Sequence, residues 1–560
     1  MSTTARFLVG LLPGRADFAA MGRSPGRDLL AGLTVAIVAL PLALAFGVAS
    51  GLGATAGLVT AIVAGVVAAI FGGSNLQISG PTGAMTVVLI PVVHQFGAAG
   101  VLQVGLMSGV MLVGLAISGV GRYVRYLPAS LIEGFTAGIA VVIALQQIPN
   151  MLGVPQGDQQ QVLALAGDAF LRWLENPDFI PPLIAVGVAT LILIGARLKP
   201  AVPMSLIAVA LATIIAVWSG LSIDSVGALP QRLPAPTVDF FDISRLTSLI
   251  PSAVAVAALA ALESLLCATV ADAMSVGQRH NPDRELFGQG LANLAAPLFG
   301  GVPATAAIAR TAVNVRAGAQ SRLAAFSHAV ILLLFMLVAA PLVGVIPLAA
   351  LGGVLLATTV QMIQVGSIRA IIRSSRGDAF VLILTFLVTV TIDLITAVIV
   401  GIVLAGFFAL RAVAQASRVE RVPLDESDHV SEEQGLLDDS IVAFRLDGAL
   451  FFGASHRFLL ELTDVADVQV VILRMSRLAT IDATGALMLD DVITKLERRG
   501  IAVLLSGIKP GHRKVLAALT SAKTLSKAGR VFSSTPEAIA FARELVDKGS
   551  AHAADEPTPE

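Results

Sequence analysis

Ser79-Gly80-Pro81-Thr82-Gly83-Ala84 and Gly301-Val302-Pro303-Ala304-Thr305-Ala306 stand near opposite ends of a strongly apolar region. Each is a proline-led break of small residues, followed by an apolar run able to form a helix. Inside a bilayer such a break leaves backbone groups without helical partners. It is tolerated only where protein or a water-filled cavity satisfies them. Two broken helices at corresponding places in two halves of a membrane chain point to a transporter binding site. The pair predicts a carrier with a central anion site.

The surrounding composition agrees with a membrane setting. Of 560 residues, 56% are hydrophobic and 13% charged, with a mean hydropathy of +0.85. Soluble domains carry roughly 25% charged residues, so most of this apolar content must face lipid. The net charge of -1 argues against a nucleic-acid partner. Cys267, the single cysteine, excludes an intrachain disulfide and any multi-cysteine metal site. Residues 1–28 read as a cytoplasmic segment without the pattern of a cleavable signal peptide. The first apolar run, from Leu29, would itself direct insertion.

A span takes about 20 apolar residues. Fourteen segments are candidates, several short or broken: 29–49, 55–72, 81–95, 99–119, 126–147, 181–196, 199–219, 250–272, 285–299, 303–316, 322–345, 347–365, 379–393 and 395–412. Lys and Arg concentrate in cytoplasmic loops. With the N-terminus inside, alternation puts Arg122, Arg125, Arg197, Lys199, Arg279, Arg284, Arg316, Arg322, Arg369, Arg373, Arg376, Arg411, Arg418 and Arg421 on that side. Asp158, Asp168, Glu175, Asp178, Asp224, Asp239 and Asp242 fall outside, with Arg172, Arg232 and Arg245 as exceptions. Both termini are therefore expected in the cytoplasm. Fourteen spans divide as seven plus seven, and the two breaks open the third and tenth. An odd number per half reverses orientation, which suggests an inverted repeat with Pro81 set against Pro303.

Composition changes after about residue 415. Residues 416–437 read as a charged linker. From 438 to 548 the pattern is soluble α/β, with strands at 441–446, 468–473 and 501–506 and helices at 484–498 and 536–548. Residues 549–560 read as a disordered tail.

Glu263 lies in Ala260-Ala261-Leu262-Glu263-Ser264-Leu265-Leu266-Cys267, far in sequence from any other charge. A carboxylate at membrane depth is costly and is a functional hypothesis by default. A carboxyl group there that loads and unloads a proton couples transport to the proton gradient; the plainer alternative is a structural bond to a neighbouring helix. Arg310 follows Pro303 by two helical turns. It faces the cavity and binds an anion bidentately, pairs with Glu263, or reaches the cytoplasmic interface. The helices expected to begin near Pro81 and Pro303 present free N–H groups and positive dipole ends. Gly83, Ala84, Thr305 and Ala306 would let substrate approach the backbone, and Thr82 and Thr305 add hydroxyls. Any one of these small residues alone reads equally as helix packing. Phe46, after Pro41, walls the site or simply packs. The histidines show no metal-ligand spacing, and no P-loop, nucleophile elbow or paired-cysteine motif occurs. No cofactor, metal or enzymatic activity is expected.

Several motifs together resemble the SulP family, the solute carrier 26 group. They are Ser79-Gly80-Pro81-Thr82, Leu262 to Cys267, Glu285-Leu286-Phe287-Gly288-Gln289-Gly290, Pro303 to Arg310, and Asn314-Val315-Arg316-Ala317-Gly318-Ala319. The resemblance implies fourteen helical spans in two inverted repeats, with core and gate domains, in a homodimer. It implies an anion site between the third and tenth half-helices, closed by the first and eighth spans. It also implies a cytoplasmic STAS domain at the C-terminus. The Glu263 stretch and the Ala304–Arg310 run look most like bacterial C4-dicarboxylate carriers. Residues 39–51 also resemble the cyanobacterial sodium-dependent bicarbonate carriers. Those carriers have aspartate at the Glu263 position, a hydroxyl at the Cys267 position and no Arg310, departures that favour protons over sodium here. STAS phospho-switches carry Asp-Ser; this chain has Asp482-Ala483-Thr484-Gly485. A serine switch is thereby removed, with Thr484 as a weak substitute; a folding or regulatory role is expected, such as binding a cytoplasmic protein.

The sequence thus predicts a proton-coupled anion carrier of the bacterial inner membrane, working by alternating access. Thr82, Gly83, Ala84, Thr305, Ala306 and Ala307 would cradle sulfate or a C4-dicarboxylate, with Arg310 supplying charge, Phe46 a wall and Glu263 the proton. Bicarbonate ranks third as substrate. An uncoupled anion channel, or a sensor reporting through the STAS domain, are the rival readings.

Overall fold

The computed structural model describes residues 7–421, apart from 8, 127, 156, 158, 160, 199–201, 222, 276–278 and 417, and then 440–450, 468–516 and 520–554. The chain divides into two units, Met1–Ile402 and Val403–Glu560. Its first helices are α1 Arg15–Met21, α2 Pro25–Ala49, α3 Ala54–Phe71, α4 Gly83–Ser118, α5 Ala129–Gln146, α6 Ile148–Leu152, α7 Val162–Glu175, α8 Ile180–Leu198 and α9 Met204–Trp218. They are followed by α10 Leu246–Met274, α11 Pro282–Leu298, α12 Ile308–Arg316, α13 Leu323–Gly344, α14 Leu348–Met362, α15 Val365–Ser374, α16 Arg376–Thr391 and α17 Leu394–Ala416. Between them lie two very short strands, β1 Ser79–Gly80 and β2 Thr305–Ala306.

Among the described residues, eight helical runs of at least 18 residues are long and apolar enough to cross a membrane, and two shorter apolar helices accompany them. The longest, α4, is two limbs joined at Gly97, whose φ of 67° breaks the helix. It therefore accounts for both the third and the fourth candidate spans. Fourteen spans is an approximate count, because α12 has only nine residues. Small residues bring the helices together: the buried face of α2 includes Ala31, Gly32, Ala36, Ala39 and Ala43. The helix α11 packs on α3 and α4, α13 on α2 and α3, and α16 on α5.

In the second unit a sheet runs in the order β3 Arg418–Arg421, β4 Ile441–Leu450, β5 Val470–Arg474, β7 Ala502–Ser506, β8 Val531–Phe532, and β6 Leu478–Ile481 also pairs with β4. All pairings are parallel except β3 with β4. The runs Val470–Leu473 and Val503–Leu505 are buried, as parallel strands covered on both faces should be. The helix α18 Ala483–Arg498 is capped by Asp482, whose carboxylate accepts the Gly485 N–H at 2.7 Å. Ala483 and Thr484 are exposed in its first turn. Further helices are α19 Pro510–Leu516, α20 Thr520–Lys527 and α21 Thr535–Ala554.

Several expectations need correction. The supposed linker at 416–437 opens with β3; a charged Arg-Val-Glu-Arg strand suits a sheet edge and carries no apolar run to announce it. Residues 422–437 lie outside the described residues. The tail read as disordered from 549 is helical as far as Ala554, in keeping with its alanines; 555–560 lie outside the described residues. The first span begins at Pro25, a proline suited to the first helical turn, rather than at Leu29. The helix α12 does not start near Pro303. The side chain of Asn293 brackets Ala304, accepting its N–H and donating to its carbonyl, both at 2.8 Å, and this holds Ala304 out of the helix. The structural repeat therefore sets Ser79-Gly80 against Thr305-Ala306, not Pro81 against Pro303.

The short helix α1 is tied down by one carboxylate. Asp17 pairs with Arg284 of α11 at 2.9 Å and with Arg322 at 3.1 Å. Arg322, only 2% exposed, also donates to the carbonyl of Ile70 and to Asn75. Burial pushes the Asp17 carboxyl up, but the Gly14 N–H and the Arg322 and Arg284 guanidiniums outweigh it and hold it below its ordinary 3.8. A lowered carboxylate stabilises the fold above that ordinary value and stops doing so as pH falls through the lowered one. Asp17→Asn should therefore cost about 1–3 kcal/mol at neutral pH. The gap between variant and parent unfolding midpoints should close as the solution is taken below pH 3.8; a gap independent of pH would contradict the pairing.

Candidate anion site

The middle of α10 faces both breaks. Ala260, Glu263, Ser264 and Cys267 recur at helical spacing on one side. Glu263 is half-buried, and its carboxylate accepts the Thr82 hydroxyl at 2.9 Å. The Ala306 N–H donates to Ser264 at 3.3 Å, Ser264 and Thr305 hydroxyls meet at 2.9 Å, and Thr305 reaches the Ala260 carbonyl at 3.3 Å. Thr305 has one hydroxyl proton and the carbonyl can only accept, so Ser264 donates to Thr305. One turn on, the Cys267 thiol donates to Thr311, which also accepts the Ile78 N–H at 3.0 Å.

The two helix ends differ. Thr82 is the N-cap of α4, yet its hydroxyl is committed to Glu263 and caps nothing. The first helical bond closes from Thr86 to Thr82, so the amides of Gly83, Ala84 and Met85 have no helical acceptor. A Cβ on Gly83 would fall 2.2 Å from Ile143 and 3.1 Å from Phe46. Any larger residue would have to push the tip of Ile143 aside, and Phe46 is a wall of this end. At α12, Ala307 is an uncapped N-cap whose own N–H bonds the Ile78 carbonyl at 3.0 Å. The free amides here are those of Ile308, Ala309 and Arg310. Thr305 and Ala306 are buried, and the hydroxyl and N–H expected to face substrate are already used.

Arg310 crosses between the two ends. It is 1% exposed and donates through Nη2 to the Pro81 carbonyl at 2.7 Å. Among the described residues it makes no ion pair with Glu263, and its Nε and Nη1 have no partner. Gly80 makes room for it: a Cβ there would lie 2.6 Å from Nη1. The structure thus gathers Phe46, Thr82, Gly83, Ala84, Glu263, Ala307 and Arg310 around the paired breaks.

Sequence reasoning missed the support behind them. Glu285, Gln289 and Asn293 are buried on one face of α11. Glu285 accepts the N–H groups of Gly73 and Ser74 and the amide of Gln77. Gln289 bonds Ser79 at 2.6 Å, and Asn293 brackets Ala304. Their spacing of four in an apolar stretch was a readable signal. Among the described residues no group of acidic, histidine or cysteine side chains is placed to hold a metal.

These features define a polytopic membrane transporter built on two opposed helix breaks and carrying a C-terminal α/β domain. Residues 26–385 match the Sulfate permease family and 437–538 the STAS domain. The chain belongs to the Sulfate permease family; it is an anion transporter, not an enzyme. It is 35% identical over 499 residues to YvdB of Bacillus subtilis, named as a sulfate transporter, covering 88% of this chain and 93% of that one. Among solved structures, the transmembrane domain of a cyanobacterial bicarbonate transporter, BicA, is 33% identical with a TM-score of 0.61, covering 67% of this chain and 98% of that one. The murine Slc26a9 anion transporter, at 18% identity and a TM-score of 0.80 over 96% of this chain and 95% of that one, shares the fold. These relatives give the dicarboxylate subtype no support.

Asn293→Ala would leave the buried N–H and carbonyl of Ala304 unpaired. The expected cost is about 1–3 kcal/mol for each group, read as a lower unfolding midpoint in detergent. An unchanged midpoint would show that the bracket does not hold the second break.

Proposed function

We propose that this protein is a proton-coupled importer of a small inorganic oxyanion, sulfate first, working by alternating access. The observation that carries the reading is the Thr82–Glu263 hydrogen bond. It makes the uncapped end of α4 and the carboxyl group at membrane depth a single unit. An anion held by the Gly83 and Ala84 amides lies beside the Glu263 carboxylate. Two unit charges about 4 Å apart repel by about 4 kcal/mol at an effective dielectric near 20. Protonating Glu263 removes that repulsion, so proton and anion load together and leave together. The amides of Ile308 and Ala309 complete the cradle from the other side.

Sulfate ranks first because Arg310 brings a buried positive charge with two unpartnered nitrogen groups, suited to a dianion. The Ile143 and Phe46 walls at Gly83 suit a compact oxyanion better than a four-carbon diacid. Bicarbonate is the second reading, favoured by the similarity to BicA. The protein would act as a homodimer in the bacterial inner membrane, with both termini cytoplasmic and the STAS domain available to a cytoplasmic protein.

Labelled-sulfate uptake into proteoliposomes tests the proposal, with bicarbonate, succinate and fumarate as competitors. Accumulation should rise as the outer pH falls; flux that follows voltage and ignores the proton gradient would mean a channel. Glu263→Gln should abolish gradient-driven accumulation while sulfate counterflow persists, and proton-driven accumulation in the variant would refute the coupling role. Arg310→Gln should raise the half-saturation concentration by about tenfold or more, the loss expected for a charged hydrogen bond. An unaltered value would leave Arg310 only the Pro81 tie.

A further inference from the structure

The helix α15 has no buried residue. It is joined to α14 through Ile363 and Gln364 and to α16 through Ser375 alone, so it lies directly between two apolar helices. At 100° per residue, Val365, Ile368, Ile371 and Ile372 share an arc of about 120°. Val365 is 61% and Ile372 47% exposed. The neighbouring helices continue this apolar surface with exposed Val360 and Phe380. Arg369 and Arg373, one turn apart, run along the edge of the arc, and Arg376 starts the next helix. All three arginines are exposed, and none forms an ion pair among the described residues. The carboxylates on this side are turned elsewhere: Asp378 accepts from Ser130 and Ser375, and Glu133 is set beside Ser367, past the Ile371 edge of the arc and away from the arginines.

A short helix with an exposed apolar arc and unpaired cations at its edge is built for a membrane surface. Its aliphatic side chains enter the acyl boundary while arginine stems carry their heads up to the phosphates. The charge selects which lipid. We propose that α15 is an interfacial helix that binds anionic phospholipid headgroups through Arg369, Arg373 and Arg376, with Val365, Ile368 and Ile372 inserted below them. Transport-site residues take no part, so the inference stands or falls separately from the coupling mechanism.

Ile372→Cys tests this in the full-length protein, because the natural Cys267 is buried and leaves one accessible thiol. A bimane label there is read in phosphatidylcholine vesicles containing a minority of phosphatidylglycerol, with either lipid brominated. Quenching per mole should favour phosphatidylglycerol, and added salt should weaken the preference. Adding Arg369→Gln and Arg373→Gln should cut it by about fivefold per arginine, whereas the Arg→Lys pair should retain it. A label quenched by neither lipid would place α15 in water, and equal quenching by both would deny headgroup binding; each overturns the proposal.

Discussion

Two stretches of non-helical backbone lie within the helical unit, and everything around them answers the need to satisfy their polar groups. Lipid offers no hydrogen bonds, so each unpaired N–H or carbonyl there costs several kcal/mol. The stretches meet this partly by pairing with each other, Ser79 with Ala306 and Gly80 with Thr305. The rest falls to side chains. Glu285, Gln289 and Asn293 hold one flank, and Ser264 holds the other. Arg310 takes the Pro81 carbonyl. What remains open is a small set of amides at the starts of α4 and α12. The candidate site consists of the groups that this pairing leaves over.

The two supporting helices do different work. On α11 the ladder is buried and multiply bonded: Glu285 alone receives two backbone N–H groups and two side-chain amides. Such a network is rigid, because removing any member leaves buried partners unsatisfied. On α10 the contact to the α4 end is one hydroxyl to one half-buried carboxylate. That bond can reverse its direction when the carboxyl gains a proton, since a hydroxyl both donates and accepts. A rigid flank fixes the geometry of the breaks, and a single adjustable bond can alter what they hold.

Much of this was legible in the sequence, for definite reasons. Long apolar runs read as membrane helices because nothing else accommodates them, and the proline-led breaks marked the two stretches of non-helical backbone. The β–α alternation after Ser440 announced the second unit. Other features escaped because their causes are distant. The late start of α12 depends on Asn293, which no local pattern near Pro303 reveals. The destination of Arg310 is a backbone carbonyl, which has no sequence signature. The helices α7 and α15 were missed because a search for runs of about 20 apolar residues passes over short amphipathic ones. The strand β3 was missed because an edge strand needs no apolar run.

The repeat is symmetric in backbone and asymmetric in chemistry, and the asymmetry is where function enters. Each half supplies a two-residue strand followed by an uncapped helix. In the first half the N-cap residue is Thr82, whose hydroxyl engages a carboxylate on α10. In the second it is Ala307, which has nothing to offer; the charge comes instead from Arg310, reaching back to the first half. Two identical helix ends would attract any anion with no means of release tied to another ion. Placing a group that can shed its charge at one end and a guanidinium that keeps its charge at the other gives the site two states of different net charge. Under the proposed coupling, a solute bound between them would be held or freed by a proton at Glu263, while the backbone that binds it stays where the α11 ladder put it.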